Sequence, residues 1–286
     1  MRTQVGSLDI WELENEYFLQ SSVNQFAPLE SGKYLIEELH EPQVERVSIT
    51  NTGNDFLVAF EGLIIDGLQQ ARMVAVDQII EPGEQVTLDV VCVEQGRWGD
   101  EFSGDIVPRA PISVLAALRG NNETSHPQSR VWTSVKAHQT RTQSLHTTSL
   151  PRMMESYRES RTWIPYREIE NFSLYPKSNG IAVSVQGEPL IVEFFSSPEL
   201  LRSQFRGIVE SVLWDLEDFA ISKTSNRNLI DFLDETSNLY DFQKSHIYTT
   251  QKDSVSFRSA RFPHQRNPVH VLAINHSNPI LVKGDI

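Results

Sequence analysis

Alternating apolar and polar positions in residues 1–108 predict mostly β-strands. Residues 73–80 form an apolar, partly β-branched run, and residues 85–93 alternate so that one face is apolar. The Glu-Pro-Gly-Glu sequence at 81–84 separates them, with proline and glycine at positions typical of a tight turn. We therefore predict a hairpin here, within an antiparallel sheet or small sandwich. Further strands are predicted at 44–50 and 56–60.

The pattern weakens and becomes mostly helical between residues 109 and 168. Residues 112–118 favour a short helix, and residues 121–130 have the composition of a polar loop. Residues 131–157 are rich in Ser, Thr, His and Gln and only weakly helical in pattern. We interpret this region as a helical and loop insert.

The remaining third of the chain carries the clearest local signals. Residues 181–185 and 190–194 alternate around a turn at Gly187, which predicts a hairpin. Apolar residues then recur at spacings of three and four up to Phe219, which predicts a long helix packed on a sheet. Its start fits two alternatives, a capping box of Ser196 with Glu199 or an N-cap at Ser197 followed by Pro198. A second helix is predicted at 228–240, and strands at 255–257 and 269–274.

These patterns together predict an α+β fold. We expect a β-rich half at residues 1–108, an insert at 109–168, and an α+β half at 169–286. The three segments are also compatible with one continuous domain.

Composition narrows the functional class. The 286 residues contain one cysteine, Cys92, which excludes a disulfide framework within the chain and a Cys-rich metal site. No apolar run approaches the roughly 20 residues that a membrane helix needs, and the first residues lack the apolar stretch of a secretory signal. We therefore expect a cytoplasmic protein without membrane contact.

Charge is distributed unevenly along the chain. The net charge is -13, and residues 1–108 hold 5 basic against 20 acidic residues. Residues 109–167 hold 9 basic and 3 acidic residues, so only this stretch is suited to phosphate contacts. The acidic whole disfavours nucleic-acid binding, and an RNA-associated factor remains the third of three functional hypotheses.

Candidate chemistry concentrates at the end of one predicted strand, in the heptapeptide 92–98. It combines a thiol, a carboxylate, an amide, a guanidinium and an indole around Gly96. Cys92 is the candidate nucleophile, although it shares the apolar face of its strand and no histidine is near in sequence. His270, on the predicted last strand, is a further catalytic candidate, and the histidines at 126, 138 and 146 have no metal-ligand spacing.

The heptapeptide resembles the signature of a bacterial family named for association with ADP-ribosylglycohydrolases and rhodanese-phosphatases. The resemblance extends to Gly67–Arg72, to the pair Glu61-Gly62, to Phe195–Glu199 and to the terminal strand Val269–Leu272. The chain departs from the family pattern where relatives carry acidic, lysine, asparagine or aspartate residues. These positions are Leu63, Ile64, Gln69, Ala71 and Glu193.

The resemblance implies an anionic, nucleotide-like ligand such as an ADP-ribose or NAD derivative. Arginines would hold its phosphate or carboxylate, Trp98 would stack on it, and Glu61 or Glu94 would act as general base. The predicted binding residues are Glu61, Gln70, Arg72, Gln95, Arg97 and Trp98. The competing hypothesis is a non-catalytic interaction or structural protein in which Glu94, Arg97 and Trp98 lock the end of a sheet. The sequence leaves catalysis, cofactor and protein partners open.

Overall fold

The fold is taken from a computed structural model of the full chain. It describes residues 1–5, 7–16, 26–31, 33–96, 99, 103–107, 109–120, 126–160, 169, 171–216, 228–239, 247–252, 254–261 and 267–282.

Strands and helices are largely segregated along the chain, which gives the α+β arrangement that the sequence predicted. The strands are β1 (Arg2–Val5), β2 (Leu8–Leu13), β3 (Phe26–Pro28), β4 (Tyr34–Glu37), β5 (Arg46–Asn51), β6 (Phe56–Ala59), β7 (Ile64–Asp66), β8 (Arg72–Val74), β9 (Gln78–Ile80), β10 (Gln85–Cys92), β11 (Ser103–Val107), β12 (Gly180–Val185), β13 (Glu188–Phe195), β14 (Ile247–Lys252), β15 (Val255–Arg261) and β16 (Pro268–Asn275). The described helices are α1 (Ile112–Arg119), α2 (Pro127–Arg141), α3 (Leu150–Ser160), α4 (Pro198–Leu213), α5 (Leu229–Leu239) and α6 (Pro279–Val282). A 3-10 turn spans Leu29–Ser31.

The chain divides into two compact units. Residues 1–22 and 163–286 form one, which we call the sheet unit, and residues 23–162 form the other, the barrel unit. The predicted segments with boundaries at 108 and 168 follow changes of composition along the chain, and that division stays a prediction.

The sheet unit is built on seven antiparallel strands in the order β1-β2-β12-β13-β16-β15-β14. The predicted hairpin of β12 and β13 is confirmed, and the first two strands of the chain extend the same sheet because β2 pairs with β12. One face packs around Phe232 of α5, with Val192, Phe257 and Val271 in the same apolar cluster. Helix α4 packs on β12 and β13, as its apolar spacing predicted.

The barrel unit contains a closed barrel of β10-β5-β4-β11-β7-β8 and a separate sheet of β3-β6-β9. The turn at 81–84 forms as predicted, with the amide of Glu84 donating to the carbonyl of Glu81 and a φ of 75° at Gly83. The predicted hairpin across it forms only in part: residues 73–74, in β8, pair with β10, but residues 78–80, in β9, do not. Strand β9 pairs with β6, whereas β10 pairs with β5 and β8, because the chain leaves one sheet at this turn and enters the barrel.

The described helices match the predicted ones with two differences in their bounds: α2 begins at Pro127, inside the predicted loop 121–130, and α4 ends at Leu213, before Phe219. The choice at the start of α4 is resolved. Ser197 caps α4, since its hydroxyl oxygen accepts a hydrogen bond from the amide of Leu200 at 3.2 Å and Pro198 is the first helical residue. The weakly helical region forms α2 and α3. None of the described helices combines the length and apolar character needed to cross a membrane.

Candidate functional site

Four of the predicted site residues meet at the end of the barrel. Antiparallel pairing of β8 with β10 places Arg72 opposite Cys92, and the same register continues to Gln70 and Glu94 beyond the strand ends. All four residues are buried. We call Gln70, Arg72, Cys92 and Glu94 the strand-end cluster.

The guanidinium of Arg72 is enclosed by protein acceptors. Nη1 and Nη2 donate to the two carboxylate oxygens of Glu38 at 2.7 and 3.2 Å. The other three bonds reach the carbonyls of Val44, Gln43 and Gln70. Five N–H groups therefore meet five acceptors, and neither partner of the ion pair has more than 1% of its side chain exposed. In this conformation Arg72 has no donor left for a ligand.

Cys92 is held as a neutral thiol. Its Sγ donates to Oε1 of Gln70 at 3.0 Å, and its backbone amide and carbonyl are both bonded by the side chain of Gln128 at 2.8 Å. Burial raises the pKa of the Cys92 thiol from 9.0 to about 11, an effect that the neighbouring Arg72 only partly opposes. The thiolate that a cysteine nucleophile requires is therefore scarce at neutral pH.

We expect native Cys92 to be alkylated by iodoacetamide at pH 7.5 more than about 100-fold more slowly than in the urea-unfolded chain. Its rate should rise with pH until about pH 11. Because folding favours the protonated thiol, the stability from this group is complete below pH 9 and is lost as pH rises through 11. Alkylation followed by mass spectrometry across pH measures the rate.

The Cys92→Ala variant is the matched control for the stability effect. It should lack the additional loss of stability between pH 9 and 11 that the unaltered protein shows. A native alkylation rate that levels off near pH 8.5 would contradict the buried, neutral thiol.

Glu61 belongs to a second buried ion pair. Both of its carboxylate oxygens accept hydrogen bonds from Arg119 of α1, and its backbone amide donates to the carboxylate of Asp77 at 2.7 Å. The next residue, Gly62, has a φ of 89°, and a Cβ there would lie 3.3 Å from Nε of Arg109. This pairing fastens α1 to the segment between β6 and β7 and occupies the carboxylate that was a candidate general base.

Hydrogen bonds hold the chain beyond β10 at Glu94 and at Gly99. The carboxylate of Glu94 accepts a hydrogen bond from the amide of Ala71 at 3.0 Å, and Glu94 forms an isolated bridge with Ser149. Gln95 is exposed, its carbonyl accepts a bond from the hydroxyl of Thr148, and the amide of Gly99 donates to the carbonyl of Gln69. Arg97 and Trp98, two of the predicted ligand residues, lie outside the described residues.

Two polar atoms near the strand-end cluster have no hydrogen-bond partner among the described residues. They are Oγ of Ser149, whose residue is 1% exposed, and Oε1 of Gln69. Ser149 lies directly opposite Glu94 in the bridge, so its hydroxyl is on the same side as the Glu94 carboxylate. A buried hydroxyl without a partner costs about 1–3 kcal/mol, which makes this position suited to an additional polar group.

His270 belongs to the sheet unit, whereas the strand-end cluster belongs to the barrel unit. It lies opposite Phe195 on the adjacent strand, with ring centroids 4.9 Å apart. Its Nε2 is 3.5 Å from the carboxylate of Glu193, and neither side chain is more than 1% exposed. The structure therefore assigns His270 a different environment from that of Cys92 and Glu94.

Sequence reasoning missed several residues that complete the site. Glu38, Gln128 and Ser149 lie 34 or more positions from the cluster residues they contact or face, and none stands in a recognisable motif. Arg119 was also missed. A basic residue at the end of a predicted helix, in a chain whose first 108 residues are strongly acidic, could have predicted an ion pair with one of those acidic residues. The described residues contain no group of three or more His, Cys, Asp or Glu side chains arranged to hold a metal ion.

The comparisons with known proteins agree with the resemblance. The family described as the ARG and Rhodanese-Phosphatase-superfamily-associated Protein domain matches residues 2–267. The chain belongs to this family. The family is associated with ADP-ribosylglycohydrolase and rhodanese-phosphatase genes. Searches of curated proteins and of solved structures returned no match.

Proposed function

We propose that the protein binds an anionic, nucleotide-like small molecule, with an ADP-ribose or NAD derivative as the candidate. The ligand would lie against the strand-end cluster and the segment that follows β10. Family association with ADP-ribosylglycohydrolase genes supports this ligand class, since the enzymes that such genes encode are named for ADP-ribosyl compounds.

The unused hydroxyl of Ser149 is the observation that carries the proposed location. It is buried beside Glu94, and no described residue satisfies it. Oε1 of Gln69, the residue before Gln70 of the strand-end cluster, is a second polar atom without a partner among the described residues. Gln95, which directly follows Glu94, is exposed. A hydroxyl that donates and an amide oxygen that accepts match the mixed acceptors and donors of a nucleotide.

The geometry favours binding over covalent catalysis. Cys92 is a buried thiol with a pKa of about 11, so an attack through sulfur at neutral pH is disfavoured. Arg72 and Glu61 each form a buried ion pair within the protein, with Glu38 and Arg119 respectively. Their role in this proposal is to hold the strand ends and α1 in place, while Arg97 remains the predicted cation for the ligand's phosphate.

Calorimetric titration with ADP-ribose and NAD tests the proposed function. We expect binding by the unaltered protein and a loss of roughly 3- to 10-fold in affinity for Ser149→Ala, because one hydrogen bond to the ligand is removed. Ser129→Ala is the matched control, since Ser129 is exposed on α2. Arg97→Ala tests the predicted phosphate contact.

Absence of heat with both ligands would contradict the function. Equal affinity of Ser149→Ala and Ser129→Ala would contradict only the location, because binding would then persist without the buried hydroxyl.

A non-catalytic interaction or structural protein is the second candidate. The closed environments of Arg72 and Glu61 favour it, because each charge is neutralised inside the barrel unit. It predicts no ligand heat together with a marked decrease in Tm for Arg97→Ala. Ligand binding predicts instead that Arg97→Ala weakens affinity and leaves Tm nearly unchanged.

A further inference from the structure

A second unusual carboxylate lies in the sheet unit, at the turn between β12 and β13. Glu188 directly follows Gln186 and Gly187, which are both exposed and have φ values of 50° and 83°. A Cβ added at Gly187 would meet no other atom within 4 Å. Glu188 therefore lies one residue away from an open stretch of protein surface.

The Glu188 side chain is buried and unsatisfied. The residue is 4% exposed, and neither carboxylate oxygen has a hydrogen-bond partner within the part of the chain that the structure describes. Leu8 pairs with Val185, which pairs with Glu188, so the carboxylate shares a face with two apolar side chains. A buried carboxylate without hydrogen-bond partners costs free energy, and a group that bonds its oxygens would recover part of that cost.

The backbone around Glu188 is fully engaged. Nδ2 of Asn278 donates to the carbonyl of Glu188 at 3.1 Å, and the carbonyl of Pro189 accepts bonds from Asn275 and Asn278. These bonds hold the turn in place, and the Glu188 carboxylate has no partner among the residues that the structure describes. They also use the nearby carbonyl oxygens that a hard metal ion would need as ligands.

We propose that Glu188 is the anionic end of a binding site for an alkylammonium or alkylguanidinium group. The charged nitrogen would bond the two free oxygens, and the buried side chains of Leu8 and Val185 beside them would exclude water from the ion pair. The group can come from a free small molecule or from a lysine or arginine of a partner protein. Either source would approach from the exposed turn residues Gln186 and Gly187, which directly precede Glu188.

Thermal unfolding of the unaltered protein and Glu188→Gln tests this site. Without added ligand, Glu188→Gln should raise Tm by about 3 °C or more, because it removes a buried charge that lacks a partner. Agmatine and putrescine represent the small-molecule source, and Nα-acetyl-lysine methylamide represents a protein side chain. Each is compared with NaCl at equal ionic strength, and we expect a Tm increase in the unaltered protein that Glu188→Gln lacks.

The probe with the larger effect identifies the source. Glu155→Gln, which removes an exposed carboxylate on α3, is the matched control and should behave as the unaltered protein. An unchanged Tm in Glu188→Gln, or equal probe effects in both proteins, would overturn the proposal. Lys283 lies outside the described residues. If Lys283→Met abolished the Tm difference between the unaltered protein and Glu188→Gln, the chain itself would supply the cation. A site for an external group would then be excluded.

Discussion

Replacing Arg72 with methionine should lower the free energy of unfolding by about 3–5 kcal/mol. The substitution removes the cation while the Glu38 carboxylate stays 1% exposed inside the barrel unit. It also leaves the carbonyls of Val44, Gln43 and Gln70 without the donors they have now. Urea unfolding followed by circular dichroism measures the change.

The double variant Arg72→Met/Glu38→Leu separates the ion pair from other effects. Because both charges are gone, we expect most of the lost stability to return. Arg46→Met is the matched control, since Arg46 and Asp89 form an exposed pair 3.8 Å apart on the same barrel, where less than about 1 kcal/mol is expected. Equal losses for Arg72→Met and Arg46→Met would show that Arg72 is not a buried structural charge.

Replacing Glu61 with leucine should have a comparable effect, again about 3–5 kcal/mol. Arg119 would keep a guanidinium that is 2% exposed and has lost both carboxylate oxygens. Because Arg119 is the last residue of α1, the local consequence should be greater opening of that helix. Amide hydrogen exchange should therefore accelerate in α1 more than in α5 of the sheet unit.

Rescue by a second substitution again distinguishes the pair from general disruption. Glu61→Leu/Arg119→Met should restore much of the stability and the exchange protection of α1. Arg152→Met, which removes an exposed cation from α3, is the control and should leave both measurements nearly unchanged. Protection of α1 that is unaffected by Glu61→Leu would contradict the anchoring role.

The ion pairs Arg72–Glu38 and Glu61–Arg119 give two of the predicted ligand-binding residues a structural role. A glutamate and an arginine near a strand end are typical of ligand binding, yet Glu61 and Arg72 are neutralised by Arg119 and Glu38 inside the fold. Near the strand-end cluster, the described polar atoms without a partner belong to less conspicuous residues, Ser149 and Gln69. The buried pairs then serve the proposed site by holding its strands in position.

Local signals predicted most elements of the chain. The β12–β13 hairpin, the Ser197 cap of α4 and the α1 helix follow from turn chemistry, capping and apolar spacing, which act between neighbouring residues. Long-range pairing did not follow. Strand β9 leaves its expected partner and pairs with β6, since a turn determines only where the chain reverses and not which strand lies beside it.

The strand-end cluster shows the same division. The sequence predicted that Arg72 lies close to the residues at the end of β10, and Arg72 does pair opposite Cys92. Their partners Glu38 and Gln128 come from 34 and 36 positions away, where no pattern links them to the cluster. The sequence determined the family, the α+β class and the local elements, because these depend on motifs and short-range preferences. Only the tertiary structure decided which charges are neutralised and which polar atoms remain unused, since burial and pairing arise from distant segments packed together.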